Sequence, residues 1–243
     1  MRIKEVESFV VRAPVAGDQP YWGTGFWADD PMDHPARPSD YPGDITTEYP
    51  AVWRFRALYP TGHETVIIRL ETDTGLVGWG EAHTPVAPGI SVAVVDHLLR
   101  DCVYGRNPLD INPIWENMYS TMRLRGHRTG FLLEAISGID IALHDIAGKS
   151  LGVPVAKLLG GKMRERIAVY ASSLPRIRYD KYEEGLAGVV EQAGRLVDEG
   201  YHAMKVKLGL DIDQDRSTLQ GLRASLGAGI AIAVDVNGAY DLA

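Results

Sequence analysis

His202-Ala203-Met204-Lys205-Val206-Lys207 is a short run broken by two lysines at alternate positions. Side chains alternate across a strand, so Lys205 and Lys207 face one way and Met204 and Val206 the other. Leu208-Gly209-Leu210-Asp211 reads as the exit loop, which puts the lysine pair at the end of its strand. A helical stretch over about 213–226 leads to Ile230-Ala231-Ile232-Ala233-Val234-Asp235, a second run that closes in another polar i, i+2 pair, Asp235 and Asn237. Two consecutive strands therefore deliver polar pairs to one rim.

Upstream, Ile167-Ala168-Val169-Tyr170-Ala171 predicts an earlier strand, followed by a helix from about Tyr182 to Glu199 closed by Gly200. Strands alternating with helices at about 30-residue spacing mark βα units and a parallel sheet, either a barrel or a doubly wound sheet.

The first part of the chain follows a different grammar. Residues 2–13 alternate with Ile3, Val6, Phe9 and Val11, which predicts a strand. His63–Glu71 and Leu76–Glu81 predict two more, joined through Thr72-Asp73-Thr74-Gly75 with glycine where a positive φ is wanted. Together they make a small antiparallel sheet. Helices are expected at about 88–103, 110–124 and 131–148. In the third, Leu132, Ile136, Ile139, Leu143 and Ile146 fall on one face at three- and four-residue spacing. The reading is an α+β capping domain over residues 1–160, then an α/β domain over 161–243, crossing at Leu158-Leu159-Gly160-Gly161-Lys162.

Between about 14 and 62 lie eight of the 14 prolines and three of the five tryptophans. That composition excludes regular structure, yet is too aromatic for simple disorder. Loops of this length in compact proteins are commonly functional lids or disordered linkers. Tyr21, Trp22, Phe26 and Trp27 suit a lid that orders against a partner surface or ligand, or else pack on their own domain.

The bulk numbers narrow the partners. With 32 acidic and 25 basic residues the formal charge is −7, with no long run of either sign, so neither a nucleic-acid groove nor an anionic membrane surface is indicated. The expected partner is a small molecule. Cys102 is the single cysteine, which excludes an internal disulfide framework and reads as a small buried hydrophobe. The opening residues lack the apolar core of a signal peptide, and no apolar run approaches the roughly 20 residues of a membrane helix. A cytoplasmic protein is expected.

Other apparent signals fail. Gly148-Lys149-Ser150 resembles the end of a phosphate-binding loop, but Leu143 stands where its first glycine is needed and the segment closes a helix. Gly23-Thr24-Gly25 follows no strand and opens no helix. The seven histidines, His34, His63, His83, His97, His127, His144 and His202, show no metal-ligand spacing.

The rim is where chemistry is expected, because the C-terminal ends of barrel strands are where active sites are built. Two ammonium groups buried side by side disfavour each other's charge, and a shift of about 3 units from about 10.4 leaves one amine neutral near pH 7, able to act as a base. Asp235 suits Mg²⁺, which commonly takes one or two carboxylates and keeps water or substrate oxygens elsewhere. The competing readings are lysines snorkelling from an exposed edge, an Asp235 that caps a helix, and a Schiff-base aldolase using Lys205 or Lys207.

These residues resemble the mandelate racemase and muconate-lactonizing branch of the enolase superfamily. The resemblance spans nearly the whole chain and rests on Trp79-Gly80-Glu81, on Ala135–Lys149 with Pro154 and Leu158-Leu159-Gly160-Gly161 after it, and on the Lys-x-Lys and Asp-x-Asn pairs. His144 departs from the family, whose members often carry Trp there; the position is helical and bears on packing. The resemblance implies a cap closing over a modified TIM-type (β/α)₇β barrel and Mg²⁺-assisted removal of the proton α to a carboxylate. It implies Lys207 as the base, Lys205 as the holder of the substrate carboxylate, Asp235 as the first metal ligand and Asn237 as a substrate contact. It also implies that the lid sets specificity.

A sugar acid is the expected substrate, with dehydration favoured over racemisation or cycloisomerisation, and a homo-oligomer is expected. A complete barrel needs about 250 residues. The barrel is therefore expected to hold three βα units and to lack its C-terminal part, with two further acidic ligands and the opposing acid or base. On that ground a non-catalytic fragment is the alternative of another class.

Overall fold

Three glycines bring a helix and a strand of the first part of the chain into direct backbone contact. In a computed structural model, which describes residues 1–13, 63–172, 174, 175, 177, 181–209, 212–236 and 240, the sheet comprises β1 (Ile3–Ala13), β2 (His63–Thr72) and β3 (Val77–Ala82). It is antiparallel in the order β1-β2-β3. A Cβ on Gly80 would lie 1.9 Å from the Gly138 carbonyl oxygen, and one on Gly78 would lie 2.2 Å from that of Ala142. Only hydrogen atoms fit there, so β3 lies directly on α4 (Phe131–Leu151).

The predicted stripe of α4, Leu132, Ile136, Ile139, Leu143 and Ile146, is buried as expected. It packs in one core with Ile3, Val6, Val66, Ile68 and Leu70 from the sheet. Gly152, at φ +67, ends the helix in the left-handed conformation that glycine adopts without steric penalty. Gly75, at φ +84, supplies the positive φ required by the β2–β3 turn.

The helix expected over about 88–103 is divided. α1 (Pro88–Val94) passes into a π turn at Val95–Leu99 and then α2 (Arg100–Val103). Val95, Leu99 and Val103 are all fully buried. A stripe repeating every four residues drifts around a helix of 3.6 residues per turn, and one wider turn brings it back to the core. Next come α3 (Ile111–Arg123) and the short α5 (Val155–Leu158). Cys102 is buried, and burial pushes its thiol pKa up.

The chain divides into two compact units, and the second runs on from Arg166. It holds α6 (Tyr182–Asp198), β4 (Ala203–Lys207), α7 (Ile212–Leu226) and β5 (Ala231–Asp235), with β4 and β5 paired in parallel. Its core joins Val189, Ala193 and Leu196 of α6, Met204 and Val206 of β4, and Leu222 of α7.

One expected strand is corrected. Ile167–Ala171 forms no strand; Ala171 makes a single parallel bridge to Met204, its N–H donating to Ala203 O at 3.0 Å. Ile167 and Val169 are 77% and 70% exposed, so the apolar run has no surface to bury against and its ladder stops after one bridge. The lid expected over about 14–62 lies outside the described residues.

Candidate active site

Met204 and Val206 are buried against the helices, at 0% and 1% exposure, so strand alternation turns Lys205 and Lys207 to the opposite face of β4. The parallel register sets Lys207 across from Asp235 and Lys205 across from Ala233. Partners in register share a face, so the three charged groups converge. Lys207 Nζ donates to Asp235 Oδ2 at 2.8 Å, and Lys205 Nζ donates to the same oxygen at 3.1 Å.

The backbone fixes this convergence. Leu208 N donates to Asp235 O at 3.0 Å, continuing the ladder one residue past Lys207. On the other edge of β4, Lys205 N donates to Ala171 O at 2.8 Å.

The sequence reading expected two lysines buried side by side. The side chains are instead 22% and 26% exposed, with a carboxylate, itself 30% exposed, between them. Two amines around one carboxylate leave the rim richer in basic than in acidic groups, which suits an anionic ligand. Asn237 lies outside the described residues.

Asp235 suits Mg²⁺ in kind, as a hard oxygen donor of the sort that commonly holds this ion with water and substrate oxygens. Among the described residues, no group of three His, Cys, Asp or Glu stands close enough to hold a metal. These residues therefore offer one candidate ligand, a partial fit.

A buried carboxylate next to this rim escaped the sequence reading. Asp215, in the first turn of α7, is 6% exposed and accepts from Gly209 N at 2.7 Å and from Tyr240 Oη at 2.5 Å. An acid there reads as an ordinary helix-start residue; the glycine exit two residues past Lys207 was the available signal.

Asp145 anchors α4 to the sheet, and His144, expected to bear on packing, makes its contact within its own helix. Asp145 Oδ2 accepts from Trp79 N at 2.9 Å and from Lys149 Nζ at 2.6 Å, tying α4 to β3. His144 Nδ1 lies 2.9 Å from Asp140 O, within its own helix.

Comparison with known proteins identifies the family. Residues 57–160 match the family model for the mandelate racemase / muconate lactonizing enzyme N-terminal domain, and residues 188–243 match the enolase C-terminal domain-like model. The chain belongs to the mandelate racemase/muconate lactonizing enzyme family of the enolase superfamily. Its fold is that of the superfamily, an N-terminal cap followed by a C-terminal barrel-type domain.

Within the family, the chain is 35% identical over 176 residues to D-galactarolactone cycloisomerase of Agrobacterium fabrum, covering 72% of this chain and 44% of that protein. It is 35% identical over 188 residues to D-galactonate dehydratase of Pectobacterium atrosepticum, covering 72% and 46%. The crystal structure of an enolase-superfamily member from Agrobacterium tumefaciens aligns with TM-score 0.76 and 31% identity, over 97% of this chain and 55% of that one. That of a racemase from Streptomyces coelicolor with bound magnesium aligns with TM-score 0.70 and 25% identity, over 98% and 56%. The chain thus spans about half the length of the relatives it matches.

Proposed function

We propose that the chain carries the base-bearing part of a site that removes the proton α to the carboxylate of an acid sugar, in a dehydration. The observation that carries the reading is the convergence of Lys205 and Lys207 on Asp235 Oδ2 at the ends of paired parallel strands. The dehydratase and cycloisomerase relatives support it.

In this reading an anionic substrate competes with Asp235 for the two ammonium groups, and Lys205 retains its proton and holds the substrate carboxylate. Lys207, in its neutral form, takes the α-proton onto Nζ, and the electron pair of the broken C–H bond moves onto the carboxylate carbon and oxygens. A carboxylate resists a second negative charge, so the reaction needs preorganised cations at those oxygens. Mg²⁺, held in part by Asp235, supplies Lewis-acid stabilisation of that charge when bound. Collapse of the ene-diolate expels the β-hydroxyl, which leaves as water by taking up a proton equivalent to the one Lys207 received, and the resulting enol tautomerises to an α-keto acid.

The barrel in this proposal is of the (β/α)₇β type, residues 161–243 supply its opening βα units, with a single bridge at Ala171 where the first strand was expected, and the cap covers 1–160. Asn237 contacts substrate, and the 14–62 segment is the lid. A homo-oligomer in the cytoplasm belongs to the same proposal. A second reading, cycloisomerisation, is favoured by the likeness to D-galactarolactone cycloisomerase.

Incubation of the protein with a panel of acid sugars and Mg²⁺, reading α-keto acid as its semicarbazone, tests the proposal. Keto acid formation that stops with EDTA and returns with Mg²⁺ is expected. Borohydride trapping of substrate on Lys205 or Lys207 would replace this reading with Schiff-base chemistry.

A further inference from the structure

We propose that Asp215 is a positioning residue for the lysine–aspartate rim, holding the exits of β4 and β5 to one buried carboxylate. Its bearing on catalysis rests on the reading of Lys207 as the base. Asp215 Oδ2 receives hydrogen bonds from Gly209 N and Tyr240 Oη, at 2.7 and 2.5 Å. Gly209 follows Lys207 by two residues and Tyr240 follows Asp235 by five. One oxygen atom thus reaches the chain beyond both site-bearing strands.

The local chemistry suits a fixed anchor. Asp215 is 6% exposed, in the first turn of a 15-residue helix, where the helix dipole favours a carboxylate. Hydrogen bonds to an ionised acceptor are shorter and stronger than neutral ones. Gly209 has φ +105, a conformation that side-chain-bearing residues rarely adopt, so the chain turns away from β4 at the residue that Asp215 holds.

An ordinary helix-start acid bonds the N–H groups of its own helix. Asp215 instead bonds two groups outside α7. Between Lys207 and Gly209, Leu208 N is tied to Asp235 O at 3.0 Å, so anchoring Gly209 constrains the Lys207 backbone from its C-terminal side. A displacement of about 1 Å at a reacting group can cost roughly 10²-fold in rate, so such an anchor matters to a base more than to a core.

Two variants, Asp215→Asn and Tyr240→Phe, test the anchor by competitive acetylation with acetic anhydride, read lysine by lysine by mass spectrometry. Acetylation of Lys205 and Lys207 is expected to rise about threefold, with Lys4 and Lys149 of the other unit unchanged. In parallel, α-proton exchange of an acid sugar in D₂O should lose about tenfold in kcat with KM within about twofold. Unchanged acetylation of Lys205 and Lys207 in both variants overturns the proposal, as does a parallel rise at every lysine, which signals general unfolding. If the wild-type chain exchanges no acid-sugar proton while the rim lysines still respond selectively, the functional reading fails and the anchor stands.

Discussion

Lys207 stands directly across the parallel β4–β5 pair from Asp235, and its ammonium lies 2.8 Å from Asp235 Oδ2. The register of two strands, set by backbone hydrogen bonds, therefore places a candidate base within reach of a candidate metal ligand. The pair is partly exposed, so its contribution to stability is modest. A double-mutant cycle with Lys207→Met and Asp235→Asn should give a coupling of about 1 kcal/mol, measured by urea unfolding. A coupling near zero would mean that the contact does not persist in solution.

Gly80 offers a sharper structural test. A methyl group at this position meets the Gly138 carbonyl oxygen at 1.9 Å, which neither backbone can relieve without separating β3 from α4. Gly80→Ala should cost about 3 kcal/mol. Gly75→Ala, with nothing within 4 Å but φ +84, should cost about 1 kcal/mol through backbone strain. Urea midpoints check both, and equal losses would contradict the close-packing account.

Glu71 links stability to pH in the cap. Lys4 and then Arg69, by hydrogen bonding to it, hold its carboxyl down at about 2 from an ordinary value of 4.5. A carboxyl with a lowered folded-state pKa contributes stability above its unfolded value and loses it as pH falls through the folded one. The contribution should therefore be present above about pH 4.5 and fade towards pH 2. Thermal melts of Glu71→Gln should show a shallower loss of Tm across this window than wild type. Parallel Tm profiles would remove Glu71 as a cause.

Asp145 reaches across from α4 to the backbone of β3. Asp145→Ala leaves Trp79 N–H without that acceptor and removes the Lys149 pair, and should destabilise the chain by about 1–2 kcal/mol. Asp145→Asn, which keeps an acceptor oxygen, should lose less. Urea unfolding of the two variants separates the hydrogen bond from the charge.

Much of this architecture is written in periodicity. Alternation alone put Lys205 and Lys207 on one face, and the three- and four-residue spacing of α4 identified its buried stripe, because both patterns repeat a backbone period. What escaped depends on tertiary surroundings. Ile167–Ala171 looks like a strand in composition, yet a strand needs a neighbour along its length, and only Ala171 has a bridge. The π turn at Val95–Leu99 arises from matching a four-residue stripe to the core, which local propensity does not encode. Asp215 looks like any helix-start acid until Gly209 and Tyr240 are brought to it. The lysine pair was expected to be buried side by side, whereas both side chains are partly exposed and Asp235 bonds to both. Asn237 and the 14–62 segment lie outside the described residues.

The central claim, that Lys207 takes the proton α to a carboxylate, is tested most directly by α-proton exchange of acid sugars in D₂O with Mg²⁺, followed by NMR. The wild-type chain should exchange the proton, and Lys207→Ala should lose about 10²-fold or more of that rate. Exchange at the wild-type rate in Lys207→Ala, or none with any acid sugar in the wild-type chain, would contradict it.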